Sequence, residues 1–361
     1  MKKIFLIMFI LSITLCLGGI SYSDLNFGHT EIGSFLDYSA NRTAGSQGEK
    51  TSAEYIENKL SSFGLESLYE NFQQTFSYDE NSSQNVLAIK RNSSEKYVII
   101  GSHYDAIFKL GVSEGVNDNA SGVITNLLLA EYFSSQNLSY NLIFAFFGAE
   151  EEGFLGSQYF LDNLNENIKE NILLYINLDS IGAGKNLYYY HYDQATCYGN
   201  FIDKTLNEKV LKLGYNKLFS NKSTLGTSYY HIGMLSDNMT FLKQGINSLN
   251  FFAGDLNSSD FGFHEIDGQD KIMHKTDSLE TIGNTFGESF YSNMQDIYEN
   301  IIILLTSDNF ESAMQVKEIN PIVLTDWFLK LVAGSFVLVL MLLTIIFFKI
   351  KAKLKLTKVK Q

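Results

Sequence analysis

His103 and Asp105 follow an apolar run at 97–102, and their two-residue spacing puts imidazole and carboxylate on the same side of an extended chain. In that position Asp105 can fix the tautomer of the imidazole. Glu150, Glu151 and Glu152 stand just after a second apolar run at 142–148, and Asp179 just after a third at 173–178. Asp118 lies in the small, turn-forming stretch Gly115-Val116-Asn117-Asp118-Asn119-Ala120-Ser121-Gly122, and His274 precedes a long helical pattern. Two imidazoles with several carboxylates and no neighbouring thiolate form a ligand set for zinc or another divalent transition metal. Such a set can hold two ions about 3.5–4 Å apart, one carboxylate bridging them and another left as a base. The reaction it fits is metal-assisted hydrolysis, in which a bound hydroxide attacks a carbonyl and a nearby Glu moves the proton to the leaving amine. No Gly-rich phosphate loop competes with this reading.

These residues need elements that deliver them to one place. Residues 86–90, 97–102, 142–148 and 173–178 read as strands, and 249–253 as a late strand. Residues 120–135, 157–164 and 201–213 read as helices, and 278–305 as one long final helix with Asp277 or Ser278 as its N-cap. Ser46-Gln47-Gly48-Glu49 has the spacing of a capping box and opens a helix that ends near Gly64. Strand and helix in alternation predict an α/β fold, with a mixed, largely parallel central sheet and helices on both faces. In an open sheet of this kind ligands bind at the carboxyl ends of the strands, where three of these runs place His103, the glutamates and Asp179.

The ends of the chain set its expected compartment. Lys2 and Lys3, the apolar run at 4–17 and the small residues that follow predict a signal peptide over 1–23. Residues 327–348 hold a single charge, Lys330, and six lysines follow, which predicts a transmembrane helix with a basic cytoplasmic tail at 349–361. Between lie one domain at 24–310 and a short stalk at 311–326 that contains Pro321, the only proline. Residues 1–20 and 327–361 hold nine of the 27 Lys and Arg and none of the 40 Asp and Glu, so the segment between them carries 18 basic and 40 acidic residues, net −22. That balance argues against nucleic acid as a partner, and with the two ends it predicts a strongly acidic domain that the leader and the span place outside the cytoplasm. Of two cysteines, Cys16 lies in the leader and only Cys197 in the body, which excludes a disulfide framework.

With these motifs in order, the chain resembles the co-catalytic di-zinc aminopeptidase family that includes bacterial leucyl aminopeptidase, aminopeptidase Y and the glutamate carboxypeptidase II relatives. The resemblance runs from Asn41-Arg42-Thr43-Ala44-Gly45-Ser46 to His274-Lys275-Thr276-Asp277. It implies the zinc exopeptidase fold, peptide substrates and two zinc ions per chain. His103 and Asp179 would bind one ion, Glu151 and His274 the other, and Asp118 would bridge them. Glu150 would be the general base and Asp105 would orient His103. The choice among the glutamates rests on the resemblance, since two glutamates and one variable residue, here Glu152, precede the family's glycine, here Gly153. Ser236-Asp237-Asn238 departs from the family pattern by carrying Asn238 where a His is frequent, and Tyr229, Tyr230 and His231 stand near enough in sequence to substitute for it. Glutaminyl cyclases share several of these motifs but usually carry an insertion where Glu151 and Gly156 are only five apart. A receptor ectodomain that kept the fold would have lost metal ligands. The expectation is a membrane-anchored zinc exopeptidase, most simply an aminopeptidase.

Overall fold

A computed structural model describes residues 27–39, 41–108, 113–191, 197–207, 236–254 and 272–315. The expected leader over 1–23 and membrane span over 327–348 lie outside the described residues. Among the described residues no helix is long and apolar enough to cross a membrane.

Helices α1 (His29–Tyr38) and α2 (Gln47–Ser62) precede strands β1 (Glu66–Ser67), β2 (Gln73–Tyr78), β3 (Asn81–Lys90) and β4 (Tyr97–His103). A tight turn at Val116–Ala120 opens α3 (Ser121–Ser134), which leads to β5 (Asn141–Phe147), α4 (Leu155–Asn163), α5 (Glu166–Glu170) and β6 (Ile172–Leu178). Then come β7 (Asn186–His191), α6 (Cys197–Asn207), α7 (Asn238–Lys243), β8 (Ser248–Gly254), α8 (Leu279–Thr285), α9 (Glu288–Leu305) and α10 (Phe310–Met314).

The strands form one sheet in the order β1-β3-β5-β4-β6-β8-β7, with β2 paired to β3. Pairing is parallel only at the centre, between β5 and β4, β4 and β6, and β6 and β8. The flanks are antiparallel, so the sheet is mixed as expected but parallel only at its centre, which corrects the expectation that it is largely parallel. The cause is local. Asp79, at φ 45°, lets a two-residue link fold β2 back on β3, and the short link after β6 leaves no helix to carry β7 across as a parallel strand.

Both faces of the central strands are covered. Val98 and Ile100 of β4 and Leu142, Phe144 and Phe146 of β5 face a large core shared with α2, α3 and α9. Ile99, Ile143, Ala145 and Phe147 alternate with them and pack against Phe160 of α4 and Phe241 of α7. Strands apolar on both faces read as continuous apolar runs, which is why β4, β5, β6 and β8 are legible in the sequence. The expected final helix is two helices, because Gly287 adopts φ 54° and ψ −131°, a conformation that ends α8 and restarts the chain as α9. Buried Phe310 and Met314 carry the packed unit past residue 310 into the segment expected to be a stalk.

Candidate metal centre

The carboxyl ends of β4, β5 and β6 lie side by side, so the side chains that follow them meet at one edge of the sheet. His103, the last residue of β4, is buried. Its Nδ1 lies 3.2 Å from the main-chain carbonyl of Asp105 and 3.6 Å from the Asp105 carboxylate. A carbonyl only accepts, so Nδ1 carries the proton and Nε2 points into the site. There Nε2 lies 3.2 Å from Asp118 Oδ1 and 3.5 Å from Asp179 Oδ1. The other oxygen of Asp118 is 2.9 Å from His274 Nε2, which is itself 3.2 Å from Glu151 Oε1. One carboxylate thus presents an oxygen to each imidazole, and each imidazole has a second acid beside it.

Donor atoms of His103, Glu150 and Asp179 lie within 4.8 Å of one another, as do those of Asp118, Glu151 and His274. All six expected residues therefore converge, and exposed Glu152 stands outside both groups. The donor set fits metal ions on its chemistry. Among the described residues, buried His103 Nε2 and Glu151 Oε1 have no hydrogen-bond partner, and the donors are imidazole and carboxylate throughout.

The charged groups of the site face one another across short distances. Burial opposes the cationic form of His103, but Glu150 and the carboxylates of Asp105, Asp118 and Asp179 outweigh it and hold the imidazole well above its ordinary value. His274 is likewise pushed up to about 10, with burial opposed by Asp118 and Glu151. Burial would raise Asp118, yet the two imidazoles win and hold it far below the carboxylate range. Glu150 lies well above its ordinary value, chiefly through burial, with Asp237, Asp179 and Glu151 adding to the rise and His103 opposing it. Glu151 is raised by burial and by Asp118.

The loops that carry these groups are laced together by buried carboxylates. Asp105 accepts from the amides of Glu150 (3.0 Å) and Glu151 (3.1 Å). The oxygen of Asp105 nearer to His103 Nδ1 is its main-chain carbonyl, while its carboxylate fixes the glutamate turn. Asp277, three residues after His274, accepts from the amides of Asn117 (2.9 Å) and Asp118 (2.8 Å). The N-cap of α8 is Ser278. Each imidazole segment therefore also carries the carboxylate that fixes a loop bearing another ligand candidate.

Sequence reasoning missed Asp277 because its place before a helix reads as a cap. It also passed over three residues whose side chains hold the same loops. Asn117 Oδ1 accepts from the amides of Gly182 and Ala183, and Asn119 donates to the carbonyl of Leu178 while accepting from the amide of Gly122. Buried Arg42 donates to the carbonyls of Tyr104 (2.7 Å), Glu114 (2.5 Å) and Gly115 (2.5 Å), tying the segment after His103 to the one before Asp118. Ala149, Ser180 and His274 all have positive φ, at 52°, 56° and 57°, and each is at or next to a residue of the site. Such strain persists only where surrounding bonds over-determine it, as they do here.

Asn238 and Asp237 are both buried, and burial pushes Asp237 up to about 7. Tyr229, Tyr230 and His231 lie outside the described residues.

The family model described as peptidase family M28 matches residues 85–301. The chain is 28% identical over 222 residues to aminopeptidase YwaD of Bacillus subtilis strain 168, a match that covers 59% of this chain and 45% of that protein. It spans from about a fifth to about half of the length of the curated relatives it matches. Among solved structures, the zinc aminopeptidase BSAP from Bacillus subtilis aligns with a TM-score of 0.56 at 17% identity, covering 78% of this chain and 94% of that one. A glutaminyl cyclase from Porphyromonas gingivalis aligns with a TM-score of 0.56 at 20% identity, covering 77% and 96%. At these identities the structural likeness is one of fold.

Proposed function

The chain belongs to peptidase family M28, and from that premise we propose that it is a zinc-dependent exopeptidase, most simply an aminopeptidase acting on the first peptide bond of its substrates. The observation that carries this reading is the Asp118 carboxylate, with one oxygen 3.2 Å from the His103 imidazole and the other 2.9 Å from that of His274. His103 and Asp179 would hold one zinc ion, Glu151 and His274 the other, and Asp118 would bridge the pair. Bound zinc supplies Lewis acidity to the scissile carbonyl and activates water at neutral pH. Glu150, buried beside the site and raised above its ordinary value, takes the proton from the attacking water and passes it to the leaving amine. Asp105 keeps that glutamate in place through its amide.

Support for a peptidase over a glutaminyl cyclase comes from the short link between Glu151 and Gly156, although the likeness to the Porphyromonas gingivalis enzyme keeps cyclisation of N-terminal Gln as the second reading. We place the catalytic domain outside the cytoplasm, anchored by 327–348, on the strength of the apolar run and the lysines that follow it.

The test is mass spectrometry of free and N-acetylated peptides, one with N-terminal Gln, after incubation with the zinc-loaded chain. Loss of the first residue from free peptides only is the expected result, and Glu150→Ala should abolish it while zinc stays bound. Ammonia loss from the Gln peptide would replace the peptidase with a cyclase. Full activity in Glu150→Ala would remove that residue as the base.

A further inference from the structure

Four consecutive amides in the turn that carries Glu150 and Glu151 end on side-chain oxygens. The amide of Gly148 donates to Asn85 Oδ1 (3.3 Å), that of Ala149 to Glu49 Oε1 (3.2 Å), and those of Glu150 and Glu151 to Asp105 Oδ1 (3.0 Å) and Oδ2 (3.1 Å). Asn85 and Asp105 belong to β3 and to the chain just after β4, the neighbours of β5 in the sheet. Glu49 comes from α2, 100 residues away in sequence and ahead of the stretch that matches the family.

Glu49 is fully buried, and a helix cap alone does not account for its bonds. Ser46 does cap α2, its hydroxyl accepting from the Glu49 amide. In a capping box the glutamate would answer the amide of Ser46. Here Glu49 Oε2 accepts instead from Gly45 (2.7 Å), and Oε1 accepts from both Ser83 Oγ (2.6 Å) and Ala149. The fit is close, since a Cβ at Gly148 would collide with Ser83 Oγ and the carbonyl of Gln84. Ala149 needs such a hold. At φ 52° it adopts a conformation disfavoured for alanine, and it sets the direction in which Glu150 leaves the strand.

We propose that Glu49 is a positioning residue for Glu150 and Glu151, acting through the main chain of Ala149. The inference rests on the reading of Glu150 as the base and Glu151 as a zinc ligand.

The test uses the full chain with Glu49→Ala, Glu49→Asp, Glu49→Gln and, as a control, Ser83→Ala. Ser83→Ala removes a bond to the same carboxylate oxygen and leaves the link to Ala149. Each variant is read by thermal unfolding, by kcat and KM on an aminoacyl p-nitroanilide below every Tm, and by the visible spectrum of the cobalt(II)-loaded protein. Ser83→Ala should lower Tm and leave kcat and the spectrum at wild type. Glu49→Ala should lower kcat by about 10–100-fold, the range typical of groups that orient metal ligands, with KM little changed and the cobalt spectrum altered. Glu49→Gln keeps an oxygen for the Ala149 amide and should recover most of the loss.

If Glu49→Ala does not fold, Glu49→Asp decides. It keeps the carboxyl group but is too short to reach Gly45 and Ala149 together, so wild-type kcat and spectrum in it would overturn the proposal. The same result in a folded Glu49→Ala, with only Tm lowered, would reduce Glu49 to a helix cap. Should the wild-type chain cleave no aminoacyl substrate, the functional reading fails and the spectrum still judges the positioning. A change in Glu49→Ala but not in Ser83→Ala upholds it, and no change in either overturns it.

Discussion

Asp118 lies between two imidazoles whose protonated forms the surrounding carboxylates favour, and this couples metal uptake to proton release. In the metal-free chain the neighbouring carboxylates push His274 up to about 10 and hold His103 well above its ordinary value, which favours the cationic form of both. A metal ion needs the lone pair of each Nε2, so binding must expel those protons. Zinc affinity is therefore expected to rise with pH across the neutral range, by about tenfold per pH unit for each proton released. Calorimetric titration in buffers of different ionisation enthalpy measures the release directly, and a binding heat independent of buffer would refute the account. The same shifts have a stability sign. A histidine whose folded value is raised stabilises the metal-free fold fully below about 6.5, and that contribution is lost as pH rises through about 10. The metal-free chain should thus lose Tm between neutral pH and pH 10 beyond what the zinc-loaded chain loses. At this scale the sequence is informative about chemistry: His103, Glu150, Glu151 and Asp179 stand out by type and by their place after apolar runs, whereas Asp118 in a turn and His274 before a helix stand out by type alone. The roles of the three glutamates were not separable by chemistry, because identical side chains at consecutive positions differ only in where the turn points them.

Elements carry the site through bonds between loops far apart in sequence. Asp277 is the clearest case. It is buried, titrates at about 6 because burial outweighs the amides of Asn117 and Asp118, and lies 160 residues from the amide of Asn117 that it accepts from. Replacing it by alanine leaves two buried amides without an acceptor, at a cost of about 1–3 kcal/mol each. Asp277→Ala is expected to lower Tm and to weaken metal binding at the Asp118 positions together, while Ser278→Ala, which removes only the helix cap, lowers Tm alone. Equal metal affinity in the two variants, measured by competition with a chelator, would show that Asp277 acts only as part of the helix entry. Strands β4, β5 and β6 were legible because burial on both faces leaves nothing but apolar residues between Tyr97 and Ile100 or between Leu142 and Phe147. Strand β2 was not legible, since its sequence is mostly polar and its only buried residue is Phe76. The break at Gly287 was hidden for a different reason: apolar residues recur at helical spacing on both sides of it, and periodicity does not register a single φ.

Over the whole molecule, the fold needs more than the part that identifies its family. The match to peptidase family M28 covers residues 85–301, yet the main core is closed by Ile32 and Phe35 of α1, Ile56 and Leu60 of α2, Leu304 and Leu305 of α9, and Phe310 and Met314 of α10. All eight are at most 2% exposed. Burying each contributes about 1.5–3 kcal/mol, so together they contribute about 12–24 kcal/mol, as much as or more than the roughly 5–15 kcal/mol by which a domain is usually stable. The same flanks supply Arg42 and Glu49, which hold the loops around the metal centre, and most of β2's pairing with β3 lies at the margin of the match. A fragment of residues 85–301 is therefore expected to expose the α3 face of the sheet and to show no cooperative thermal transition, whereas residues 27–315 should unfold cooperatively and bind zinc. Near-ultraviolet circular dichroism during heating distinguishes them. A sharp transition in the short fragment near that of the longer one would mean that the flanking helices are accessories to the site, and that the buried surface they share with α3 and α9 contributes far less than its area implies.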